Sequence, residues 1–221
     1  MCFSATASFT ASVFLAGVGS VTWTQARTPG ERPFAAIPLL FALQQAIEGV
    51  IWLTFRYQAP ALNVGLTYAY VFFSHVLWPV FVPVAVLLLE PPGRRRRTLV
   101  VFVLAGSVAS AWLLYQVLVY GVVSQPLGQH IAYLAPHFFA VVTMLLYVVS
   151  TTVSLLLSTQ RMARVFGGLA LLSLAVAYGV YSTWFISVWC YLAAMLSGVV
   201  LLHFKGQALL QRWGQHHPLG S

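Results

Sequence analysis

Seven long apolar runs, separated by short polar connections, constrain the fold of this chain more than any other feature of its sequence. They cover residues 3–23, 34–55, 64–89, 98–120, 130–157, 164–184 and 187–204. A membrane-spanning helix needs roughly 20 predominantly apolar residues, so each run fits one crossing. We therefore predict an all-α polytopic integral membrane protein. Residues 1–205 form seven transmembrane helices, and residues 206–221 form a short amphipathic cytoplasmic tail.

The composition excludes two other classes of protein. Only 6% of the 221 residues are charged and 60% are hydrophobic, whereas about a quarter of a soluble domain is charged. An intrinsically disordered chain would need few apolar residues and many charges. The first apolar run has no basic residues before it and no clear cleavage site after it. We expect this run to be a retained helix and not a signal peptide.

The basic residues predict the orientation of the helices. They follow segments one, three, five and seven, whereas the other three connections contain only Arg56. In chain order, the basic groups are Arg27 and Arg32, the block 94–97, Arg161 and Arg164, and Lys205 with Arg212. Because basic loops stay in the cytoplasm, we predict the N-terminus outside and the C-terminus inside. The net charge of +8 then reflects loops next to anionic membrane lipids, with no nucleic-acid partner.

Potential metal ligands converge in the outer half of this topology. The residues placed there are Cys2, Glu48, His75, His130, His137 and Cys190. A polar group at membrane depth is costly and is a functional candidate by default. Two His and one carboxylate are a common ligand set for zinc or non-haem iron. We predict a divalent metal bound by Glu48, His75, His130 and His137, with Cys2 as a catalytic group.

Several alternatives remain for these residues. Glu48 could instead carry protons, act as a general base, or be a protonated carboxyl hydrogen-bonded to a neighbouring helix. His75 and His137 could be the axial ligands of haem b, could relay protons, or could each make one interhelical hydrogen bond. Cys2 and Cys190 could form a disulfide or be two inert buried thiols. Alternatively, removal of Met1 could give Cys2 a free amine beside its thiol.

A second set of polar and aromatic residues is predicted to line a ligand pocket. It comprises Gln44, Gln45, Trp52, Tyr68, Ser74, Tyr133, Trp189 and Cys190. Gln44, Gln45, Glu48 and Trp52 recur at helical spacing, so they form one polar face of segment two. Pro79 and Pro83 are expected to kink segment three beside His75. The stripe of Ser4, Ser8 and Ser12 is typical of close helix packing.

Several motifs resemble a family of small bacterial membrane proteins that have no assigned activity. They are the opening Met1-Cys2-Phe3-Ser4-Ala5, residues 38–45, 48–52 and 73–83, and Ser187-Val188-Trp189-Cys190. The resemblance implies location in a bacterial inner membrane. The chain is also similar to the ceramidase and adiponectin-receptor group of seven-helix zinc hydrolases, which use a Ser, an acid and three His. That similarity implies such roles for Ser74, Glu48, His75 and His137. The His-x-x-x-His of the last helix of that group has no counterpart in segment seven.

The sequence thus predicts a membrane protein with a polar, metal-binding pocket in the outer half of the bilayer. The leading hypothesis is a metal-dependent enzyme acting on a lipid or small amphiphile, with a metal-bound water as nucleophile. The alternative is a non-enzymatic sensor or proton-coupled transporter that uses Glu48 and the histidines as a proton or ligand path. A haem b protein is the second alternative, and a purely structural subunit is a third reading. A retinal protein is excluded because the only Lys, Lys205, lies at the inner end of segment seven.

Overall fold

A computed structural model describes residues 4–128, 130–134, 141–180 and 184–206, which are almost entirely helical. The helices are α1 (Ala5–Gln25), α2 (Arg32–Arg56), α3 (Pro60–Val71), α4 (Trp78–Leu89), α5 (Arg94–Tyr120), α6 (Val141–Val148), α7 (Ser154–Leu156), α8 (Arg161–Val180) and α9 (Phe185–Leu196). π-Helical segments Phe72–Leu77 and Val149–Val153 join α3 to α4 and α6 to α7. Strands β1 (Val123–Leu127) and β2 (His130–Leu134) follow α5.

Six helices in the described ranges are long and apolar enough to cross a membrane. They are Ala5–Gln25, Arg32–Arg56, Pro60–Leu89, Arg94–Tyr120, Arg161–Val180 and Phe185–Gly206, and a shorter apolar helix spans Val141–Leu156. The six correspond to the predicted segments one to four, six and seven. Large apolar side chains are exposed along the helices, such as Val101, Leu104, Val108 and Leu118 on α5. Such a stripe suits a lipid environment.

The prediction that segment five begins as a helix at His130 was wrong. His130 to Leu134 form strand β2, which pairs antiparallel with β1 in a hairpin. Gly121 and Gly128 have φ of 76° and 63°, so glycine permits the end of α5 and the turn of the hairpin. Ile131 and Tyr133 are residue types that favour strands. His130 and Tyr133 therefore do not share a helical face with His137, which lies outside the described residues.

Helices α1 and α2 form a closely packed antiparallel pair. Thr22 Oγ1 donates to the Ala35 carbonyl at 2.8 Å, and Ser12 Oγ donates to the Ala42 carbonyl at 2.8 Å. A Cβ on Gly49 would lie 2.8 Å from the Phe9 ring. These contacts fix the register of the two helices over their whole length. The packing role predicted for the small residues of α1 agrees with this geometry.

The third long helix changes from α- to π-helical geometry in its middle. The Trp78 amide bonds the carbonyl five residues earlier, and Pro79 next to it has no N–H to continue that pattern. The Ser74 carbonyl therefore has no donor from Pro79, and the Tyr147 hydroxyl donates to it at 2.5 Å. A π-helical segment that contains His75 thus lies next to Pro79, where a kink was predicted, and such segments are frequent at functional sites.

Connections that carry basic residues meet at one end of the bundle. A Cβ on Gly30, between α1 and α2, would lie 2.6 Å from the Leu88 carbonyl oxygen at the end of α4. The Glu90 carboxylate, just after α4, accepts a hydrogen bond from Ser158 Oγ at 3.0 Å, just after α7. The ends of α1, α4 and α7 are therefore neighbours.

The end of the last described helix lies at this basic end as well. His203 packs edge-on against Phe34 at the start of α2, with ring centroids 5.5 Å apart. The arginine block differs from the prediction, because Arg94–Arg97 form the first turn of α5 and not a loop. Of the predicted tail, the structure describes only Gly206.

Candidate functional site

The Glu48 carboxyl is fully buried and is the centre of a polar cluster inside the bundle. Ser187 Oγ, on α9, donates to Glu48 Oε1 at 2.6 Å. Gln45, Tyr70 on α3 and Tyr133 on β2 also lie around the carboxyl. Among the described residues, Glu48 Oε2 makes no hydrogen bond of standard geometry. Hydroxyl and amide groups therefore surround this acid, together with the Cys190 thiol on α9.

Two adjacent glutamines extend the cluster along α2. Trp78 Nε1 donates to Gln44 Oε1 at 2.7 Å, and the Trp78 ring stacks on Phe41 at 3.9 Å between centroids. Within the described ranges, Gln44 Nε2 and both amide atoms of Gln45 are buried without a hydrogen-bond partner. Buried polar groups in native proteins nearly always have partners. The polar face of α2 therefore presents hydrogen-bonding groups that the described residues do not satisfy.

Ser8 on α1 adds another buried polar atom to this region. Its side chain is fully buried, and Ser8 Oγ has no partner among the residues described. Ser12, one turn later on the same face, bonds the Ala42 carbonyl. Because α1 and α2 are antiparallel, Ser8 lies level with the next turn of α2, which contains Gln45 and Glu48.

The β-hairpin covers the cluster at the end of the bundle opposite the basic connections. The Tyr133 ring on β2 stacks on the Tyr70 ring with centroids 4.3 Å apart and planes 5° apart. On β1, Ser124 Oγ shares a 2.8 Å hydrogen bond with Thr67 Oγ1 and donates to Asn63 Oδ1 at 3.0 Å. The hairpin is therefore tied to α3 by polar contacts and closes the cluster with an aromatic pair.

His75 is also fully buried, on the π-helical segment. Its Nδ1 lies 2.8 Å from Ser74 Oγ in a hydrogen bond. His130 is half-buried on β2 and packs on Trp184, with ring centroids 4.9 Å apart. This partial burial lowers the pKa of the His130 imidazole, because the charged form loses solvation.

An apolar cavity of about 40 Å³ lies next to the polar cluster. Trp78, Tyr147, Trp189 and Cys190 are among its lining residues. A cavity of this size has room for roughly three waters, but apolar cavities usually stay dry. Cys190 lines the cavity and is also a neighbour of Glu48, so this residue contacts both the apolar cavity and the polar cluster.

The structure brings together only part of the predicted site. Of the predicted pocket residues, Gln45 and Tyr133 lie beside Glu48. Gln44 and Cys190 lie next to each other, and Cys190 also lies near Glu48. Trp189 lines the cavity, and Ser74 bonds His75. Trp52 is half-buried one turn beyond Glu48, and Tyr68 is exposed. Cys190 is a buried free thiol, and Cys2 lies outside the described residues.

The metal site stays a prediction. In the described part of the chain, no group of three or more His, Cys, Asp or Glu side chains is placed to hold a metal ion. Glu48, His75 and His130 belong to that part, whereas His137 and Cys2 do not. The residues present around Glu48 are mainly hydroxyl and amide groups, which do not fit the predicted His-rich ligand set.

The sequence analysis missed four buried polar residues, three of them at the level of the polar cluster and one at the basic end. Tyr70 and Ser187 had no polar periodicity to mark them, and Ser8 was assigned to packing alone. Glu90, at the basic end, is 3% exposed and accepts hydrogen bonds from Ser158 Oγ and the Thr159 amide. A second acid is thus buried at the basic end.

Comparison with known proteins identifies the family. A profile described as "Family of unknown function (DUF6629)" matches residues 1–215, so the chain belongs to that family. Comparisons with curated proteins and with solved structures found no significant match. They therefore give no support to the similarity with the zinc hydrolases. The family description assigns no activity, and the function must be inferred from the site.

Proposed function

We propose that this chain is a non-enzymatic proton-coupled transporter or sensor in which Glu48 binds and releases a proton. One observation carries the proposal. Glu48 is fully buried inside the bundle, accepts a hydrogen bond from Ser187 on another helix, and among the described residues is surrounded by neutral hydroxyl and amide groups. The bundle surrounds this acid with groups that can bind either a proton or a polar ligand.

The physical argument rests on the cost of burying charge. An isolated carboxylate in a low-dielectric interior costs several kcal/mol unless a cation or several hydrogen bonds compensate it. The groups around the Glu48 carboxyl, including the Ser187 hydroxyl that donates to it, are neutral, so the neutral acid is the form of Glu48 that this environment favours. An acid that is neutral when enclosed and ionised when exposed to water is suited to carry protons.

The proposed topology has seven transmembrane helices, with the N-terminus outside and the C-terminus inside a bacterial cell membrane. This topology is supported by the basic connections, which meet at one end of the bundle. The positive-inside rule assigns that end to the cytoplasm. Glu48 lies towards the opposite end, beneath the hairpin. The proposed proton site therefore lies nearer the outer surface.

The test is an infrared spectrum of the purified protein at neutral pH. We expect the carbonyl stretch of a protonated carboxylic acid, absent in Glu48→Gln and retained in Glu31→Gln. Glu31 is a suitable control because its carboxylate accepts hydrogen bonds from the Arg27 and Thr28 amides in a loop.

Metal analysis of the same sample discriminates the proposal from the enzyme hypothesis. Stoichiometric zinc or iron that is lost in both Glu48→Gln and His75→Ala, with no Glu48 acid band, would overturn the proton-carrier proposal in favour of a metalloenzyme.

A further inference from the structure

We propose that the Glu48 cluster is a binding site for a small monovalent cation, either Na⁺ or a primary ammonium group. The proposed ligands are Ser8 Oγ, Gln45 Oε1 and Glu48 Oε2. This inference rests on the proposed function and names the ion that competes with the proton. Binding of the cation displaces the proton of Glu48 into water, so the site stays neutral overall in both states.

The three ligand atoms share a property that few atoms of a folded protein have. Each belongs to a side chain with no exposed surface, and none makes a hydrogen bond of standard geometry with the described residues. Three such oxygen atoms at one level of the bundle are costly, and more so in a membrane protein, where water is scarce. A cation that is coordinated or hydrogen-bonded by several of these oxygens removes this cost.

The register of α1 and α2 places these residues at one level of the bundle. Phe9 packs against Gly49, and Ser12 bonds the Ala42 carbonyl. Ser8 lies on the same face of α1 as Ser12 and is therefore level with the α2 turn that carries Gln45 and Glu48. The site is built from two helices whose pairing is fixed independently of any ligand.

The chemistry of the ligand set favours a single positive charge. One carboxylate balances one charge, and the hydroxyl and the amide oxygen are neutral. Both Na⁺ and an ammonium group with its three N–H donors bind oxygen acceptors. No group of three His, Cys, Asp or Glu in the described ranges competes as a divalent or transition-metal site.

The groups that face Glu48 from other elements are compatible with a cation. The titratable ones are Tyr70 from α3, Tyr133 from β2 and Cys190 from α9, all neutral in their usual protonated forms. Tyr70 and Tyr133 also supply stacked aromatic rings, and aromatic faces attract cations. Because one proton leaves for each cation bound, lowering the pH by one unit weakens cation binding about tenfold while Glu48 is protonated.

The experiment adds NaCl or methylammonium chloride to the full-length protein in choline chloride buffer. We expect at least one of the two salts to remove the Glu48 acid band from the infrared spectrum and to release a heat of binding in calorimetry. Glu48→Gln abolishes both signals. Ser8→Ala and Gln45→Leu weaken binding roughly tenfold or more, since each removes a ligand to a charge.

Ser20→Ala is the matched control for Ser8→Ala. Ser20 lies on the same helix, but it is exposed and bonds the Ala16 carbonyl of its own helix. Its substitution leaves binding unchanged. Methylammonium binding alone identifies an amine ligand, and Na⁺ binding alone identifies a coupling ion.

Three outcomes would count against the cation site. A Glu48 band that persists in both salts overturns it and leaves the proton-carrier proposal standing. Equal affinities in Ser8→Ala and Ser20→Ala overturn it as well. If the protein in choline buffer shows no Glu48 acid band, the proton-carrier proposal fails. If neither salt then releases a heat of binding, the cation site is rejected as well.

Discussion

Replacing Gly106 by alanine should separate α5 from the third long helix, which contains Pro79. A Cβ at Gly106 would lie 1.8 Å from the Pro79 carbonyl oxygen, which is far inside the contact distance and belongs to the backbone. Overpacking costs about 1–3 kcal/mol, and loss of the nearby hydrogen bond adds about 1 kcal/mol. That bond runs from Ser110 Oγ to the Val76 carbonyl at 2.8 Å. We expect a destabilisation of about 2–4 kcal/mol.

Gly17→Ala is the matched control for this prediction. Gly17 lies in α1, and a Cβ there would meet nothing within 4 Å. Alanine favours a helix over glycine by roughly 0.5–1 kcal/mol, so this substitution should stabilise the protein slightly. Unfolding in mixed detergent, followed by tryptophan fluorescence, measures both free energies. If Gly106→Ala proves as stable as Gly17→Ala, the close helix contact and the reasoning built on it are wrong.

Three further substitutions test individual contacts of the structure. Ser187→Ala removes the 2.6 Å hydrogen bond to Glu48, so the infrared band of the acid should shift to higher frequency; an unshifted band would contradict that contact. Tyr147→Phe leaves a buried helix carbonyl unpaired and should lower the free energy of unfolding by about 1–3 kcal/mol, measured in the same detergent titration. Glu90→Ala removes the acceptor of the Thr159 amide, whose hydrogen exchange should become faster; unchanged exchange would disprove the role of this acid.

Part of the candidate site could be predicted because polar residues stand out against an apolar helix. Glu48 and the two glutamines were identified in this way, since a polar face recurs at helical spacing along α2. Ser8 and Tyr70 could not be identified from sequence. A serine in a stripe of small residues usually packs helices, and a tyrosine in an apolar run is usually an interfacial anchor. Only the helices next to Ser8 and Tyr70 show that both are buried polar groups.

The hairpin shows a different limit of sequence analysis. Residues 130–134 were predicted as the start of a helix, because a short apolar run does not distinguish helix from strand. The pairing of β1 with β2 and the burial of Ile131 and Ala132 against the bundle select the strand. Tyr133 was predicted to line the pocket as part of a helical segment five, yet it lies beside Glu48 through the hairpin.

The sequence by itself determined that the chain consists mainly of long apolar helices, the approximate limits of six of them in the described residues, and the clustering of basic residues at one end of the bundle. These properties depend on local composition and on the length needed to span a bilayer, and both can be read along the chain. The tertiary structure alone decided which side chains surround Glu48. That arrangement depends on helix order, register and rotation, which are set by contacts between residues far apart in sequence, such as Ser187 with Glu48. Composition does not encode those contacts.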